Sequence, residues 1–268
     1  MNVNALTIAG SDSGGGAGIQ ADLKTFSALG AYGMSAITAL TAQNTRGVQS
    51  VHAIPAAFVA AQIDAVFSDI RVDSVKLGML ANREIIDAVA ERLEDARQNH
   101  TFYLVLDTVM IAKGGHALLQ ADAVTALRER LLPQASLITP NLPEAAALLG
   151  CAVALTEAEM REQGQALLEA GAQAVLMKGG HLPSDDSPDW LITPAGQLRI
   201  ALPRIATRNT HGTGCTLSAA LAALRPRHAD WASTLQAARA WLQDALAAAD
   251  RLDVGHGIGP VHHFHAWW

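Results

Sequence analysis

Residues 210–216 combine glycine, threonine and cysteine in an order suited to binding an anion. The segment is Thr210-His211-Gly212-Thr213-Gly214-Cys215-Thr216, and apolar residues at helical spacing follow it. The unpaired backbone N–H groups and the positive end of the helix dipole at such a turn favour a phosphoryl group. Cys215 falls on the first helical turn, where the pKa of a thiol is expected to be lowered. A plain helix N-cap with glycines in a tight turn is the alternative interpretation.

Three short apolar runs that predict buried strands are each followed by polar residues. These residues are Asp107 after the first run, Asn141 and Glu144 after the second, and Lys178 after the third. Carboxylate oxygens suit magnesium, a lysine suits phosphate, and N–H donors suit the charge that develops in phosphoryl transfer. Because the carboxyl ends of parallel strands share one edge of a sheet, we expect these residues to meet the 210–216 turn there.

Each of these residues also has a structural interpretation. Asp107 fits the cap of a following helix, and Asn141 with Glu144 fits a capping box as the N-cap and N3 residues. Lys178 fits an ordinary surface lysine, although its place between a buried run and two glycines favours a functional role.

A second glycine-rich segment, residues 10–18, follows the first predicted strand. Its sequence, GSDSGGGAG, fits neither a dinucleotide-binding fingerprint nor a P-loop, because the glycine spacing differs and no Gly-Lys pair exists. The segment therefore predicts a turn that lets a ligand approach the backbone closely, beginning at Gly10. Asp22, near the start of the next helix, either reaches a ligand hydroxyl or serves the helix dipole.

Gln43 and the C-terminal histidines are further candidates. The Gln43 amide places a donor and an acceptor side by side, which matches an amino group beside a ring nitrogen; a solvated loop residue is the alternative. His262, His263 and His265 suggest a metal site, but a flexible or docked tail is favoured because no cysteine or carboxylate lies nearby.

The composition excludes several classes of protein. Of the 268 residues, 50% are hydrophobic and 16% charged, and the formal net charge is -6, which argues against a nucleic-acid binder. Two cysteines make no disulfide framework and fit a reducing cytosol. No signal-peptide pattern and no apolar run of about 20 residues is present, so we expect a cytoplasmic protein without a membrane partner.

The elements that must position these residues alternate along the chain. Strands are predicted at 5–9, 35–42, 72–77, 103–106, 136–139 and 174–177, with a hairpin at 190–193 and 197–201. Helices are predicted at 19–29, 56–67, 83–97, 123–131, 160–169, 216–224 and 234–250. This alternation is typical of a parallel sheet covered on both faces, here as one α/β domain over residues 1–268.

Seven motifs occur together in an order that resembles a known family. They are GSDSGGGAGIQAD at 10–22, TAQNTRG at 41–47, VKLGML at 75–80, LDTVMIAK at 106–113, TPNLPE at 139–144, MKGGH at 177–181 and NTHGTGCT at 209–216. Together they resemble the bacterial hydroxymethylpyrimidine/phosphomethylpyrimidine kinases of thiamine biosynthesis, within the ribokinase-like superfamily. The resemblance covers essentially the whole chain, and GIGPVHH at 257–263 indicates that the histidines are native.

The resemblance implies a three-layer α/β/α fold with a mostly parallel sheet, ATP as co-substrate, Mg²⁺ and a homodimer. It also implies phosphorylation of 4-amino-5-hydroxymethyl-2-methylpyrimidine to the monophosphate and then to the diphosphate. The implied catalytic residues are Cys215, Lys178, Gly212 and Gly214. The implied substrate-binding residues are Gln43, Gly10, Asp22, Met79 and Val109. The implied nucleotide-binding residues are Lys178, Asn141, Thr210, Gly212, Thr213 and Gly214, with Asp107 and Glu144 on the magnesium side.

Cys215 takes the position where most ribokinase-like enzymes carry an aspartate base, and it either accepts the substrate proton or orients the hydroxyl. Two alternatives stay open at this point. A vitamin B6 kinase would share the phosphate machinery and differ in what meets Gln43 and Met79. A non-catalytic pyrimidine-binding regulator would not need Asp107 and Lys178 intact.

Overall fold

The computed structural model describes residues 2–110, 121–182 and 186–268, so the predicted motif at 106–113 lies only partly within the described residues. The strands are β1 Val3–Ala9, β2 Ala31–Ile37, β3 Ala39–Asn44, β4 Gly47–Ala53, β5 Ser74–Leu77, β6 Tyr103–Leu106, β7 Leu137–Ile138, β8 Val175–Lys178, β9 Asp186–Thr193 and β10 Gly196–Pro203. The helices are α1 Gly18–Ala28, α2 Ala56–Phe67, α3 Arg83–Ala96, α4 Ala121–Ala126, α5 Leu142–Leu149, α6 Glu157–Glu169, α7 Thr213–Leu224 and α8 Trp231–Ala247.

Eight strands form the main sheet in the order β10-β9-β8-β7-β6-β5-β1-β2. The pairings from β2 to β8 are parallel, and β9 and β10 are antiparallel. Alternate strand residues face opposite sides, so that Leu104 and Leu106 pack in one buried cluster while Val105 packs in the other. The first cluster includes residues of α2–α6, and the second includes residues of α1, α7 and α8. The predicted three-layer α/β/α fold is confirmed.

The strand order changes direction beside β1. The chain passes from β1 to its neighbour β2 and later returns on the other side of β1 as β5. A crevice forms at such a point beyond the carboxyl ends of the strands, and ligands of open α/β sheets bind there. The loop at 10–18 and the residues after β5 border this crevice.

The prediction of one strand over 35–42 is wrong, because the chain divides at Thr38. Buried Thr38 receives a hydrogen bond on its carbonyl from Ile54 N and donates its hydroxyl to the Met79 carbonyl, at 2.9 and 2.6 Å. Beyond it, β3 leaves the main sheet and pairs antiparallel with β4. Sequence analysis missed β4 because its last five residues are exposed and carry no buried alternation.

Several predicted helix bounds are also corrected. The helices α6, α7 and α8 each begin three residues before the predicted start. The caps Thr156 and Asp230 fix the starts of α6 and α8 about one turn before the residues from which the apolar period was counted. The predicted helix at 123–131 is α4 continued by a π-helical turn, Leu127–Leu131. Among the described residues, no helix is long and apolar enough to cross a membrane.

Candidate active site

The turn before α7 has the open helix N-terminus that its sequence predicts. Gly212 is the N-cap residue, with a left-handed φ of 76°. A side chain at this position would be strained, and its Cβ would overlap the carbonyl oxygen of Gly16. The glycine therefore lets the 10–18 loop pack directly on the turn. The first-turn amides of Gly214 and Cys215 have no intrahelical acceptor, so they are available to an anion.

Lys178 lies between two buried carboxylates next to this turn. Its Nζ is 3.1 Å from Asp107 Oδ1 and 3.9 Å from Glu144 Oε2. A Cβ on Gly214 would lie 3.6 Å from the same Nζ, which places the ammonium against the first turn of α7. The predicted lysine, carboxylates and glycine turn are thus brought together at one edge of the sheet.

The charges of this cluster depend on one another. Burial alone would raise the pKa of Asp107, but Lys178 and Lys76 outweigh it and hold that pKa below its usual range. Burial raises the pKa of Glu144 in spite of the opposing charge on Lys178. Burial would lower the pKa of Lys178, but the Asp107 and Glu144 charges raise it, so the lysine is an ammonium at neutral pH.

Asn141 and Glu144 form the capping box that their spacing predicts. Asn141 Oδ1 accepts from Glu144 N, and Glu144 Oε2 accepts from Asn141 N, both at 2.9 Å. Thr108 also donates its hydroxyl to Glu144 Oε2 at 3.0 Å. The backbone of Asn141 bridges to Lys178, which brings the start of α5 to the cluster. A phosphate contact by Asn141 stays a prediction.

One carboxylate oxygen of the cluster has no partner within the described residues. Asp107 Oδ2 is buried and has no hydrogen-bond partner among the described residues. The side chain of Asp107 is only 1% exposed, so this unpaired oxygen is costly unless a ligand satisfies it. The donor set of hard oxygens suits magnesium.

The expectation of a lowered thiol pKa at Cys215 is wrong. Burial raises the pKa of the Cys215 thiol to about 11, although the charge on Lys76 opposes the shift. Burial in a low-dielectric site thus disfavours the thiolate, and the nearby Asp107 and Asp22 carboxylates disfavour it further. Cys215 is a protonated thiol at neutral pH.

Asp22 is fully buried in a pair with Lys76, a lysine whose role sequence analysis missed. Lys76 Nζ lies 2.9 Å from Asp22 Oδ2, and Thr7 donates its hydroxyl to the same oxygen at 2.6 Å. Burial would lower the pKa of Lys76, but the Asp22 carboxylate outweighs it and raises that pKa. Lys76 lies within the buried strand β5, and its partner Asp22 lies on α1, 54 positions earlier in the chain. The local sequence pattern therefore does not reveal the pair. A direct contact of Asp22 with substrate stays a prediction.

Gly10 and Met79 meet at the crevice beside β1. Gly10 N donates to the Met79 carbonyl at 3.1 Å, and the Met79 sulfur would lie 3.4 Å from a Cβ on Gly10. Met79 and Val109 are half-buried, and Val109 follows β6 at the same edge. A contact of Gly10, Met79 and Val109 with substrate stays a prediction.

Gln43 contacts His211, which in turn contacts Asp12, and neither partner was predicted as a site residue. Its Nε2 lies 3.3 Å from His211 Nε2, which in turn lies 2.9 Å from Asp12 Oδ2. Asp12 and His211 stand inside the two glycine motifs, and 199 positions separate them along the chain, so no local pattern reveals the contact. His211 precedes Gly212, and it therefore links the Gln43 side to the anion-binding turn.

The C-terminal segment is docked, as the tail interpretation predicts. His263 Nε2 is 3.0 Å from the Thr216 hydroxyl on α7, and burial lowers the pKa of His263 to about 3. His262 N donates to the Ala245 carbonyl at 3.0 Å. Earlier in this segment, Gly257 N and Ile258 N donate to Thr45 at the β3–β4 turn, and Gly259 N donates to Asn209 Oδ1. The segment joins the small sheet to the anion-binding turn.

A helix N-terminus with open amides, a lysine and two carboxylates meet at the crevice of a doubly covered parallel sheet, which is the arrangement of small-molecule kinases with the ribokinase-like fold. The fold is similar to that of a Bacillus subtilis pyridoxal kinase in an ADP complex, with a TM-score of 0.90 and 36% identity over 99% of both chains. It is also similar to the phosphomethylpyrimidine kinase of Clostridium difficile 630, with a TM-score of 0.79 and 41% identity over 91% of this chain and 100% of that one.

Sequence comparison specifies the branch within this class. The family model described as phosphomethylpyrimidine kinase matches residues 12–262. The hydroxymethylpyrimidine/phosphomethylpyrimidine kinase of Escherichia coli K12 is 68% identical over 99% of both chains. The chain belongs to the phosphomethylpyrimidine kinase family.

Proposed function

We propose that this chain uses ATP to phosphorylate 4-amino-5-hydroxymethyl-2-methylpyrimidine to its monophosphate, and then the monophosphate to the diphosphate, in thiamine biosynthesis. The observation that carries the proposal is the position of Lys178 between Asp107, Glu144 and the anion-binding turn of a sheet whose crevice also holds Gln43. The names of the relatives at 68% and 66% identity support the same two-step activity. The ADP complex of the similar pyridoxal kinase supports the use of ATP.

Each part of the site has a role in this reaction. Gln43 reads the amino group and ring nitrogen of the pyrimidine, with Gly10, Met79 and Val109 along the ring. Asp22, held by Thr7 and Lys76, completes the substrate pocket. Lys178 and the amides of Gly212 and Gly214 hold the transferred phosphoryl group. Asn141, Thr210 and Thr213 contact the nucleotide phosphates.

Asp107 and Glu144 would hold Mg²⁺. The unpaired Asp107 Oδ2 and the buried Glu144 carboxylate supply hard oxygen ligands. A bound magnesium ion neutralises charge on the nucleotide phosphates. The described cluster pairs one ammonium, that of Lys178, with two buried carboxylates, those of Asp107 and Glu144. A bound cation would therefore reduce its excess negative charge.

Cys215 orients the substrate hydroxyl and does not act as a ready base. The thiol is protonated at neutral pH, so it takes up no proton, and it holds the hydroxyl through a hydrogen bond in which the sulfur accepts or the S–H donates. A loose transition state leaves the hydroxyl proton in place until late in the transfer, so positioning matters more than base strength.

A second candidate is a vitamin B6 kinase. It is favoured by the similar pyridoxal kinase structures, at 36% and 32% identity with TM-scores of 0.90 and 0.89. ATP consumption by the purified protein with magnesium, measured in parallel on hydroxymethylpyrimidine, its monophosphate and pyridoxal, separates the two. Turnover of both pyrimidines supports the proposal, and turnover of pyridoxal alone overturns it. Tight pyrimidine binding without any turnover would indicate the non-catalytic regulator.

We further propose that residues 1–268 form one catalytic domain, which acts as a homodimer in the cytoplasm. Leu40 of β3 and Val51 of β4 are 45% and 41% exposed on opposite faces of the small sheet, so each face leaves an apolar side chain that a second copy would cover. Cys151 and Cys215 are free thiols, which suits a reducing compartment. Light scattering of the eluting protein would give twice the 28.1 kDa chain mass for the dimer.

A further inference from the structure

The anion-binding turn needs support from outside its own sequence. Gly212 and Gly214 give the backbone the freedom to expose its amides, but the same freedom leaves those amides poorly fixed in an isolated segment. Phosphoryl transfer depends on donors that are held in place before the reaction, so the contacts that flank the turn matter for the rate. The chain enters the turn through Asn209, Thr210 and His211.

Gly259 of the docked segment holds the chain on both sides of Thr210. Gly259 N donates to Asn209 Oδ1 at 3.1 Å, and the Gly259 carbonyl accepts from His211 N at 2.9 Å. A Cβ at Gly259 would overlap Asn209 Oδ1, so only a glycine lets the amide approach this closely. The two bonds therefore fix the backbone that leads directly into Gly212.

The other end of the Asn209 amide is held by Asp250, which lies beyond α8. Asn209 Nδ2 donates to Asp250 Oδ1 at 2.8 Å, and Thr207 donates its hydroxyl to the same oxygen. Asn209 N in turn donates to Thr207 Oγ1 at 3.0 Å. A carboxylate only accepts and a backbone N–H only donates, so the amide fits between Asp250 and Gly259 in one orientation. Each N–H and O–H of this network serves a single acceptor.

We propose that Asn209 is a positioning residue for phosphoryl transfer: held by Asp250, it fixes the anion-binding turn through Gly259. This inference rests on the proposed function. The bonds that carry it involve no group assigned to the substrate, the nucleotide or magnesium, so Asn209 acts only through the geometry of the turn. A displacement of about 1 Å at a catalytic group can lower a rate about 100-fold. Because the turn amides would hold the phosphoryl group during its transfer, the effect should fall on kcat.

The test is an exchange of partners. Asn209→Asp keeps the acceptor for Gly259 N but sets two carboxylates against each other. It should lower kcat about tenfold, with less than about a twofold change in the KM of hydroxymethylpyrimidine or ATP. Adding Asp250→Asn returns a donor opposite the new carboxylate and should restore kcat to within about threefold of the wild type. Asn99→Asp, at an exposed position after α3, is the matched control for the added charge and should leave kcat unchanged.

Circular dichroism at the assay temperature gives the folded fraction of each variant, to which its rate is scaled. A scaled kcat that is unchanged in Asn209→Asp, a change in KM alone, or a loss that Asp250→Asn does not restore would overturn the inference. If Asn209→Asp does not fold, Asp250→Ala removes only the exposed acceptor and should lower kcat about threefold, and an unchanged kcat there overturns the inference equally. Absence of hydroxymethylpyrimidine turnover by the wild type contradicts the proposed function instead.

Discussion

Cys215 and Lys178 differ in how each would contribute to catalysis. Cys215 would act through the basicity of its sulfur, and Lys178 through its positive charge. The Cys215 pKa of about 11 leaves the thiol neutral, whereas the Asp107 and Glu144 charges keep Lys178 an ammonium. At the residue scale, catalysis should therefore depend more on the charged cluster than on the sulfur.

Substitutions at these positions should separate in kcat. Lys178→Ala removes a positive charge from the transition state and should lower kcat about 10³-fold, and Asp107→Ala should do the same. Cys215→Ser keeps a hydrogen-bonding group and should lower kcat only about tenfold. Steady-state kinetics at saturating substrate would measure this order. A Cys215→Ser enzyme as inactive as Lys178→Ala would show that the sulfur is an essential base.

The thiol itself can be titrated chemically. In a Cys151→Ser background, the rate of iodoacetamide reaction with half-buried Cys215 should be slow at pH 7 and keep rising by about tenfold per pH unit up to pH 10, because only the thiolate reacts. The Cys215→Ser protein, in which exposed Cys151 remains, gives the reference profile. A rate that levels off below pH 8 would mean that the helix N-terminus does stabilise a thiolate.

At the scale of elements, the site depends on the fit between the 10–18 loop and the start of α7. Gly212 and Gly150 both have a left-handed φ, of 76° and 69°. A Cβ on Gly212 would meet the Gly16 carbonyl, whereas a Cβ on Gly150 would meet nothing within 4 Å. The two glycines therefore form a matched pair for a substitution experiment.

Gly150→Ala should cost about 1–2 kcal/mol of unfolding free energy and leave kcat unchanged, since only left-handed strain is added. Gly212→Ala adds a backbone clash at the anion-binding turn and should lower kcat at least 100-fold as well. Urea unfolding and initial rates on the same preparations measure both quantities. Equal stability and activity in the two variants would argue against a direct packing role of the loop on the turn.

The sequence predicts elements with strong local signals and misses contacts between distant ones. The capping box of Asn141 and the strand-end position of Lys178 are local, and both are found as expected. The small sheet was missed because β4 is mostly exposed, and its strand β3 turns away at Thr38 through contacts to remote residues. The contact of Asp12 with His211 needs the folded crevice, because no period or spacing connects positions 199 apart.

For the whole molecule, the buried pair of Asp22 and Lys76 joins α1 to the centre of the sheet. Both side chains are 0% exposed. Lys76→Met leaves an uncompensated buried carboxylate and should cost about 3–5 kcal/mol of unfolding free energy, whereas Asp22→Leu with Lys76→Met should recover much of that loss. The exposed ion pair of Arg83 and Asp87 is the control, and Arg83→Ala should cost about 0.5 kcal/mol or less of unfolding free energy. A double variant no more stable than Lys76→Met would contradict this account.

The docked segment at 257–263 lies near the end of the sequence, so its contacts form late during synthesis of the chain. The nascent chain emerges from the ribosome at about 5–20 residues per second, and its N-terminal strands can pair long before synthesis nears residue 257. Until then Thr45, Asn209 and Thr216 lack the partners that join the small sheet to the start of α7. A chain whose synthesis stops before this segment therefore keeps the strands of the sheet but lacks these contacts, and we expect the site to be completed only after residues 257–263 are made.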